Sequence, residues 1–217
     1  TISKNNGLTF AKNRKVADYS CECCRIAMSE TPSGDVAAFW RHIFGDNIRD
    51  HGFAVLGLED IVIPVQRATK DDWQIEACPH HGPAMVTGDD DLYHVTWFTL
   101  GEARKGINYG RYNPLTETMM DIRTVATTGS SHPFISRMRE KLFLVWKQFD
   151  GEKTNIMSIA SMDSGETWSA AQIISSTDNA SDHPLLITSG EQVWLSWHTS
   201  KEGLRIIPLT DHLQVNL

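Results

Sequence analysis

Four apolar runs, each closed by a tryptophan, mark the chain at nearly even intervals. They are Val36-Ala37-Ala38-Phe39-Trp40, Tyr93-His94-Val95-Thr96-Trp97, Leu142-Phe143-Leu144-Val145-Trp146 and Val193-Trp194-Leu195-Ser196-Trp197. The closing tryptophans lie 57, 49 and 51 residues apart. A second series precedes each run: Gly82-Pro83-Ala84-Met85-Val86, His132-Pro133-Phe134-Ile135 and His183-Pro184-Leu185-Leu186-Ile187, with prolines 50 and 51 residues apart. Cys24-Arg25-Ile26-Ala27-Met28 holds the matching place before Trp40. Runs that are apolar on both alternating faces predict strands packed between two neighbours rather than a half-solvated sheet.

A repeat of roughly 50 residues that holds four short strands is the unit of a β-propeller blade. The Cys-, Gly- or His-led segment is read as strand one and the Trp run as strand two. Asn155–Ser161 and Gly203–Leu209 represent strand three, and Gln172–Thr177 and Ile61–Ala68 strand four. Gly, Asn and Pro punctuate the intervals. The expected division is residues 1–20 as the last strand of a preceding blade (over Phe10–Val16), then blades at 21–77, 78–129 and 130–180, and an incomplete blade at 181–217. The expected class is therefore an all-β propeller of four-stranded blades, with about four blades in this chain.

Two octapeptides obey one template, Ser-x-Asp/Asn-x-Gly-x-Thr-aromatic. One holds Ser161, Asp163, Gly165, Thr167 and Trp168; the other holds Ser3, Asn5, Gly7, Thr9 and Phe10. A short amide or carboxylate at the third position can accept hydrogen bonds from the turn's own backbone, and Gly at the fifth supplies a positive φ. The template resembles the Asp-box, or bacterial neuraminidase repeat, of sialidase-type propellers. Stretches such as Cys21-Glu22-Cys23-Cys24-Arg25, Cys78-Pro79-His80-His81-Gly82-Pro83 and Ser181-Asp182-His183-Pro184 are similar to a narrower group of bacterial exo-alpha-sialidase-like proteins. The resemblance implies a six-bladed ring of which this chain is a C-terminal portion, export to the periplasm or medium, and a glycoside hydrolase ancestry. It also implies that missing N-terminal blades, or self-association through blade edges, would complete the body.

Composition narrows the partners. The chain has 217 residues, is 41% hydrophobic and 22% charged, and carries a net charge of −7. The acidic balance argues against nucleic acid. No apolar run approaches the length of a membrane span.

The unusual chemistry sits where the first strands begin. If these strands line the axis, their leaders converge on one mouth. The convergence gathers Cys21, Cys23, Cys24, Cys78, His80, His81, His132 and His183 as a candidate metal site, with copper or zinc as the fitting ions. A bridge from Cys78 to Cys21, Cys23 or Cys24 would instead staple adjacent blades, and buried free thiols are the third reading. Arg25 begins the first inner strand, where sialidases place an arginine that grips a substrate carboxylate. Arg41, His42, Arg49, His198 and Arg205 are the further candidate ligand-binding groups. Asp182 and Tyr109, with Tyr112 as a second phenol, are the candidates for acid and nucleophile roles alongside Arg25. Three functions follow as expectations. One is a propeller that binds a small ligand or metal at the axial mouth. The second is a sialidase-type hydrolase of acidic sugars, and the third a structural or protein-binding propeller.

Overall fold

The computed structural model describes residues 1–57 and 64–209. Blade one contains β1 (Ala27–Glu30), β2 (Val36–Arg41), β3 (His51–Leu56) and β4 (Gln66–Arg67). Blade two contains β5 (Ala84–Thr87), β6 (Tyr93–Thr99), β7 (Gly106–Asn113) and β8 (Thr118–Ala126). Blade three contains β9 (Ser130–Met138), β10 (Lys141–Phe149), β11 (Thr154–Ser161) and β12 (Gln172–Thr177). Blade four contains β13 (Leu185–Ser189), β14 (Gln192–Thr199) and β15 (Gly203–Pro208). Each sheet is an antiparallel meander in chain order. The molecule is an all-β propeller, and among the described residues no helix is long and apolar enough to cross a membrane.

Strand alternation explains why the Trp runs are apolar throughout. In β10, Leu142, Leu144 and Trp146 pack with Ile107, Tyr109 and Ile135 toward blade two. The intervening Phe143 and Val145 pack with Leu186, Val193, Leu195 and Trp197 of blade four. Between blades one and two, Phe39 and Phe53 meet Met85, Tyr93, Val95 and Trp97. A strand clamped on both faces is buried at every position, so its side chains are apolar or, like His94 and Thr96, have an internal hydrogen-bond partner, and each fully buried Leu, Val or Phe contributes roughly 1.5–3 kcal/mol. This face-to-face burial places β5 beside β1, β9 beside β5 and β13 beside β9. Hydroxyl pairs stitch these inner strands, Ser29 with Thr87 at 2.7 Å and Ser136 with Thr188 at 2.6 Å.

The first residues depart from expectation. Phe10–Val16 forms no strand. The segment runs irregularly along blade one, with Arg14 donating to the Gly57 carbonyl at 2.7 Å and Ala17 against the Ala38–Trp40–Ala54 cluster. A last strand pairs with the third strand of its own sheet, and none of the sheets takes this segment into its ladder. The expected strand Ile61–Ala68 begins outside the described residues and survives as the two-residue β4.

The two template turns carry the same bonds. Ser161 Oγ donates to Asp163 Oδ1 (2.7 Å) and accepts from Gly165 N–H (2.8 Å), while Thr167 N–H donates to Asp163 Oδ1 (2.9 Å). Ser3 Oγ donates to Asn5 Oδ1 (3.0 Å) and accepts from Gly7 N–H (2.8 Å), and Thr9 N–H donates to Asn5 Oδ1 (2.9 Å). Their surroundings differ. Trp168 packs on Tyr109 with ring centroids 4.8 Å apart, whereas Phe10 is 63% exposed.

This contrast separates two glycines of one template. Gly7 has φ +84° and open space around a would-be Cβ; Gly165 has φ +90° and the Tyr109 hydroxyl against it. Gly7→Ala should cost about 1–2 kcal/mol, the backbone term alone. Gly165→Ala should cost about 3 kcal/mol or more once overpacking is added. Urea unfolding midpoints of the two variants measure the difference.

Candidate functional site

The leaders of the inner strands do converge. Arg25 precedes β1, His81 precedes β5, His132 lies at the head of β9 and His183 precedes β13. The residue before the repeat proline is His132, His183 or, in blade two, Gly82. Histidine is absent there for a steric reason: a Cβ on Gly82 would fall 2.6 Å from the Arg25 backbone nitrogen and Cβ. His81, one position earlier, takes its place in the row. The rings follow one another at centroid distances of 4.5 Å (His81–His132) and 3.7 Å (His132–His183), with Phe98 stacked on His81 at 4.1 Å.

The row is framed by the residues that follow the repeat tryptophans, Arg41, Phe98, Lys147 and His198. Arg41 is fully buried and donates to the carbonyls of His81 (3.1 Å) and Phe98 (2.7 Å). Lys147 donates to the Ser181 carbonyl at 2.9 Å. His198 Nδ1 lies 3.7 Å from Asp182 Oδ2. Arg25, His183, Asp182 and His198 line a cleft of about 320 Å³ that opens between blades one and four.

The electrostatics are one-sided. Burial, then His183, His81, Lys147 and Arg25, push the His132 imidazole down to about 3. Burial, then Arg41 and the histidines His183 and His80, hold His81 at about 4. His183 is lowered by burial and by Arg25 and Lys147, and Asp182 opposes them. Burial lowers Lys147 and Arg25 as well. Among the described residues Asp182 is the one carboxylate acting on His183 and Lys147, and its side chain is 77% exposed. All three guanidinium nitrogens of Arg25 are buried without a hydrogen-bond acceptor among the described residues, as are Nδ1 of His81 and His132. An unpaired buried cation costs free energy unless a counter-ion compensates it.

The other sequence candidates fall elsewhere. Tyr109 sits in the core between blades two and three, its hydroxyl 2.7 Å from His94 Nδ1, and burial pushes the phenol upward. Tyr112 is buried between blades one and two and donates to Gln66 Oε1 at 2.9 Å. His42 packs between Trp40 and Phe44. Arg49 serves through its backbone, its carbonyl accepting from Arg41 Nη1 at 2.5 Å. Arg205 lies over the Trp197 ring at 4.6 Å and reaches the Ser176 carbonyl. His80 is exposed. Lys147 was missed by sequence reasoning, although it holds the same post-tryptophan place as Arg41 and His198.

The sulfurs form a separate group. Cys23 and Cys78 are joined by a disulfide that ties the leaders of blades one and two, with Cα atoms 6.8 Å apart. Cys21 and Cys24 are free and buried. Cys21 Sγ lies 3.4 Å from Cys24 Sγ and 3.5 Å from Cys78 Sγ. All four sulfurs fall within 4.8 Å of one another, and no imidazole nitrogen belongs to this group among the described residues. The expected mixed Cys/His cluster is therefore two adjoining clusters. Burial, helped by Cys21, pushes the Cys24 thiol up to about 11 against the pull of Arg41.

No protein-family model matches the sequence, and no curated protein matches it. The fold is similar to that of an exo-1,5-alpha-L-arabinanase from a bovine ruminal metagenomic library, at a TM-score of 0.55 and 14% identity over 89% of this chain and 78% of that one. It is similar to an endo-arabinase from Bacteroides thetaiotaomicron, at 0.51 and 15% over 84% and 73%. It is also similar to an alpha-L-arabinofuranosidase from Clostridium thermocellum, at 0.50 and 9% over 84% and 72%. The chain thus has the propeller architecture found in glycoside hydrolases.

The His94–Tyr109 pair yields a pH prediction. Burial lowers His94 to about 4, so the fold holds it neutral whereas an unfolded histidine protonates near 6.5. Stability should be complete above about pH 6.5 and should fall as the pH drops toward 4, since there the unfolded chain binds the extra proton. The loss from this one group should be on the order of 3 kcal/mol. Urea unfolding between pH 7 and 4 measures it, and His94→Gln should flatten that part of the profile.

Proposed function

We propose that this chain is an exported propeller that binds a small acidic carbohydrate at the axial mouth, with Arg25 gripping the carboxylate. The observation that carries the reading is the Arg25 guanidinium, buried beside His183 and His132 with no acceptor among the described residues. A bidentate carboxylate would satisfy two of its donors and neutralise the excess positive charge of the site. The sugar assignment draws on the fold. Similar propellers carry the names of arabinanases and galactanases, and one was crystallised with beta-1,3-galactotriose. The Cys23–Cys78 disulfide supports export to an oxidising compartment, periplasmic or secreted.

Binding is favoured over turnover. Glycoside hydrolysis by either stereochemical route needs two cooperating carboxyl groups or an activated tyrosine in their place. Among the described residues Asp182 is the one carboxylate acting on His183 and Lys147, Asp50, which acts on Arg41, is taken up by Arg67, and Tyr109 and Tyr112 are committed to interblade cores. The sialidase-type activity implied by the template turns therefore lacks its reacting pair among the described residues.

Calorimetric titration with N-acetylneuraminic acid, its methyl ester and galactose tests the proposal. The free acid should bind and the two neutral sugars should bind far more weakly. Affinity should rise as the pH falls below about 5, because the bound anion raises the low pKa values of His81 and His132 and binding takes up protons there. Arg25→Met should weaken the acid by roughly 10- to 100-fold, the worth of a charge-assisted pair. It should leave thermal stability equal or higher, since it removes an uncompensated buried cation. Equal binding of acid and ester, or a destabilised Arg25→Met protein, would contradict the reading.

A further inference from the structure

The four cysteines are spent on more than one bond. A disulfide needs two sulfurs, and the Cys23–Cys78 bridge already staples the two blades. Two further thiols, Cys21 and Cys24, are nevertheless buried against it, at 3.4 Å from each other and with Cys21 3.5 Å from Cys78. Four sulfurs mutually within 4.8 Å match the edge of a metal-thiolate tetrahedron. With metal–sulfur bonds of about 2.3 Å, tetrahedral sulfurs lie about 3.8 Å apart.

The charge around the group fits as well. Arg41 is a fully buried cation whose hydrogen bonds go to three backbone carbonyls, those of Arg49, His81 and Phe98, and it feels the Cys24 and Cys21 sulfurs and, more weakly, Asp50. Arg25, the residue after Cys24, is a second buried cation that feels the Cys24 sulfur. Four thiolates on a divalent ion carry two net negative charges, and these two guanidiniums are placed to offset them.

We propose that Cys21, Cys23, Cys24 and Cys78 form, when reduced, a tetrathiolate site for one zinc-class cation, and that the Cys23–Cys78 disulfide is the oxidised form that cannot hold it. The chemistry balances with a dithiol reductant. The disulfide accepts two electrons and two protons to give two thiols, and the reductant becomes a disulfide. The cation then displaces four thiol protons and forms four metal–sulfur bonds. The ion would join the leader of blade one to that of blade two at the axis, so the bridge between the blades persists in both redox states. This site shares Arg25 with the neighbouring cleft, but its ligands are the four sulfurs and its test does not involve the acidic ligand proposed there.

Cobalt(II), a spectroscopic stand-in for zinc, tests this on the full chain reduced anaerobically. One equivalent should give the strong visible absorption of tetrahedral cobalt-thiolate together with a sulfur-to-cobalt charge-transfer band. Zinc should displace it at one equivalent. Reoxidation should abolish the signal and lower the accessible thiol count by two. Cys24→Ser and Cys21→Ser should each weaken cobalt binding by roughly 100-fold or more and remove the four-sulfur signature. Should reduction alone unfold the chain, addition of zinc should restore its far-ultraviolet circular dichroism. Absence of the thiolate band in folded reduced protein, failure of zinc to restore an unfolded one, or an unchanged signature in Cys24→Ser would each overturn the proposal.

Discussion

Blades two and three of this protein each have two apolar faces, and burying both is the constraint from which the rest follows. A lone four-stranded sheet would leave one face in water. Stacking sheet against sheet buries Phe143 and Val145 on one side of β10 and Leu142, Leu144 and Trp146 on the other. Inner strands then lie side by side, β1 to β5 to β9 to β13. Residues separated by about fifty positions in sequence become neighbours as a consequence of hydrophobic burial, without any attraction between their own side chains.

What those neighbours are gives the site its character. Arg25, His81, His132, His183 and Lys147 gather where burial disfavours charge, and Asp182 is the single, exposed carboxylate acting on His183 and Lys147. The fold tolerates an arginine whose three nitrogens have no acceptor among the described residues because strand packing, not that arginine, holds the inner strands in place. Local rule-breaking of this kind is expected at functional or strained sites. Beside it, the sulfurs obey a different logic, with short distances, two buried thiols and a covalent staple between blades.

Much of the architecture was legible in the sequence because repetition amplifies weak signals. The Trp runs, the proline series and the two turns each predict a strand or bend poorly alone but agree on one period. Gln172–Thr177 is a strand as read, and the Asp163 and Asn5 turns share one bond pattern. The convergence of His81, His132 and His183 was legible for the same reason. What the repeat could not supply was side-chain direction and the absence of a partner strand. Tyr109 and Tyr112 sit on a third strand, where alternation sends them into interblade cores, and no spacing rule distinguishes that from the mouth. Phe10–Val16 reads like a strand but joins no sheet among the described residues. Lys147 was overlooked because it follows a tryptophan as an ordinary polar break, although Arg41 and His198 hold the same place around the row.

The central claim is that radial packing creates an acceptor for an anion at the axis. Its most direct measurement is nuclear magnetic resonance titration of the histidine rings and arginine side chains with and without N-acetylneuraminic acid. The account expects the His132 and His183 imidazoles to titrate below the ordinary histidine range in the free protein, then to rise by about one unit or more on binding as Arg25 Nε–H shifts. Histidines that titrate near 6.5 in the free protein, or an Arg25 resonance indifferent to the acid, would contradict it.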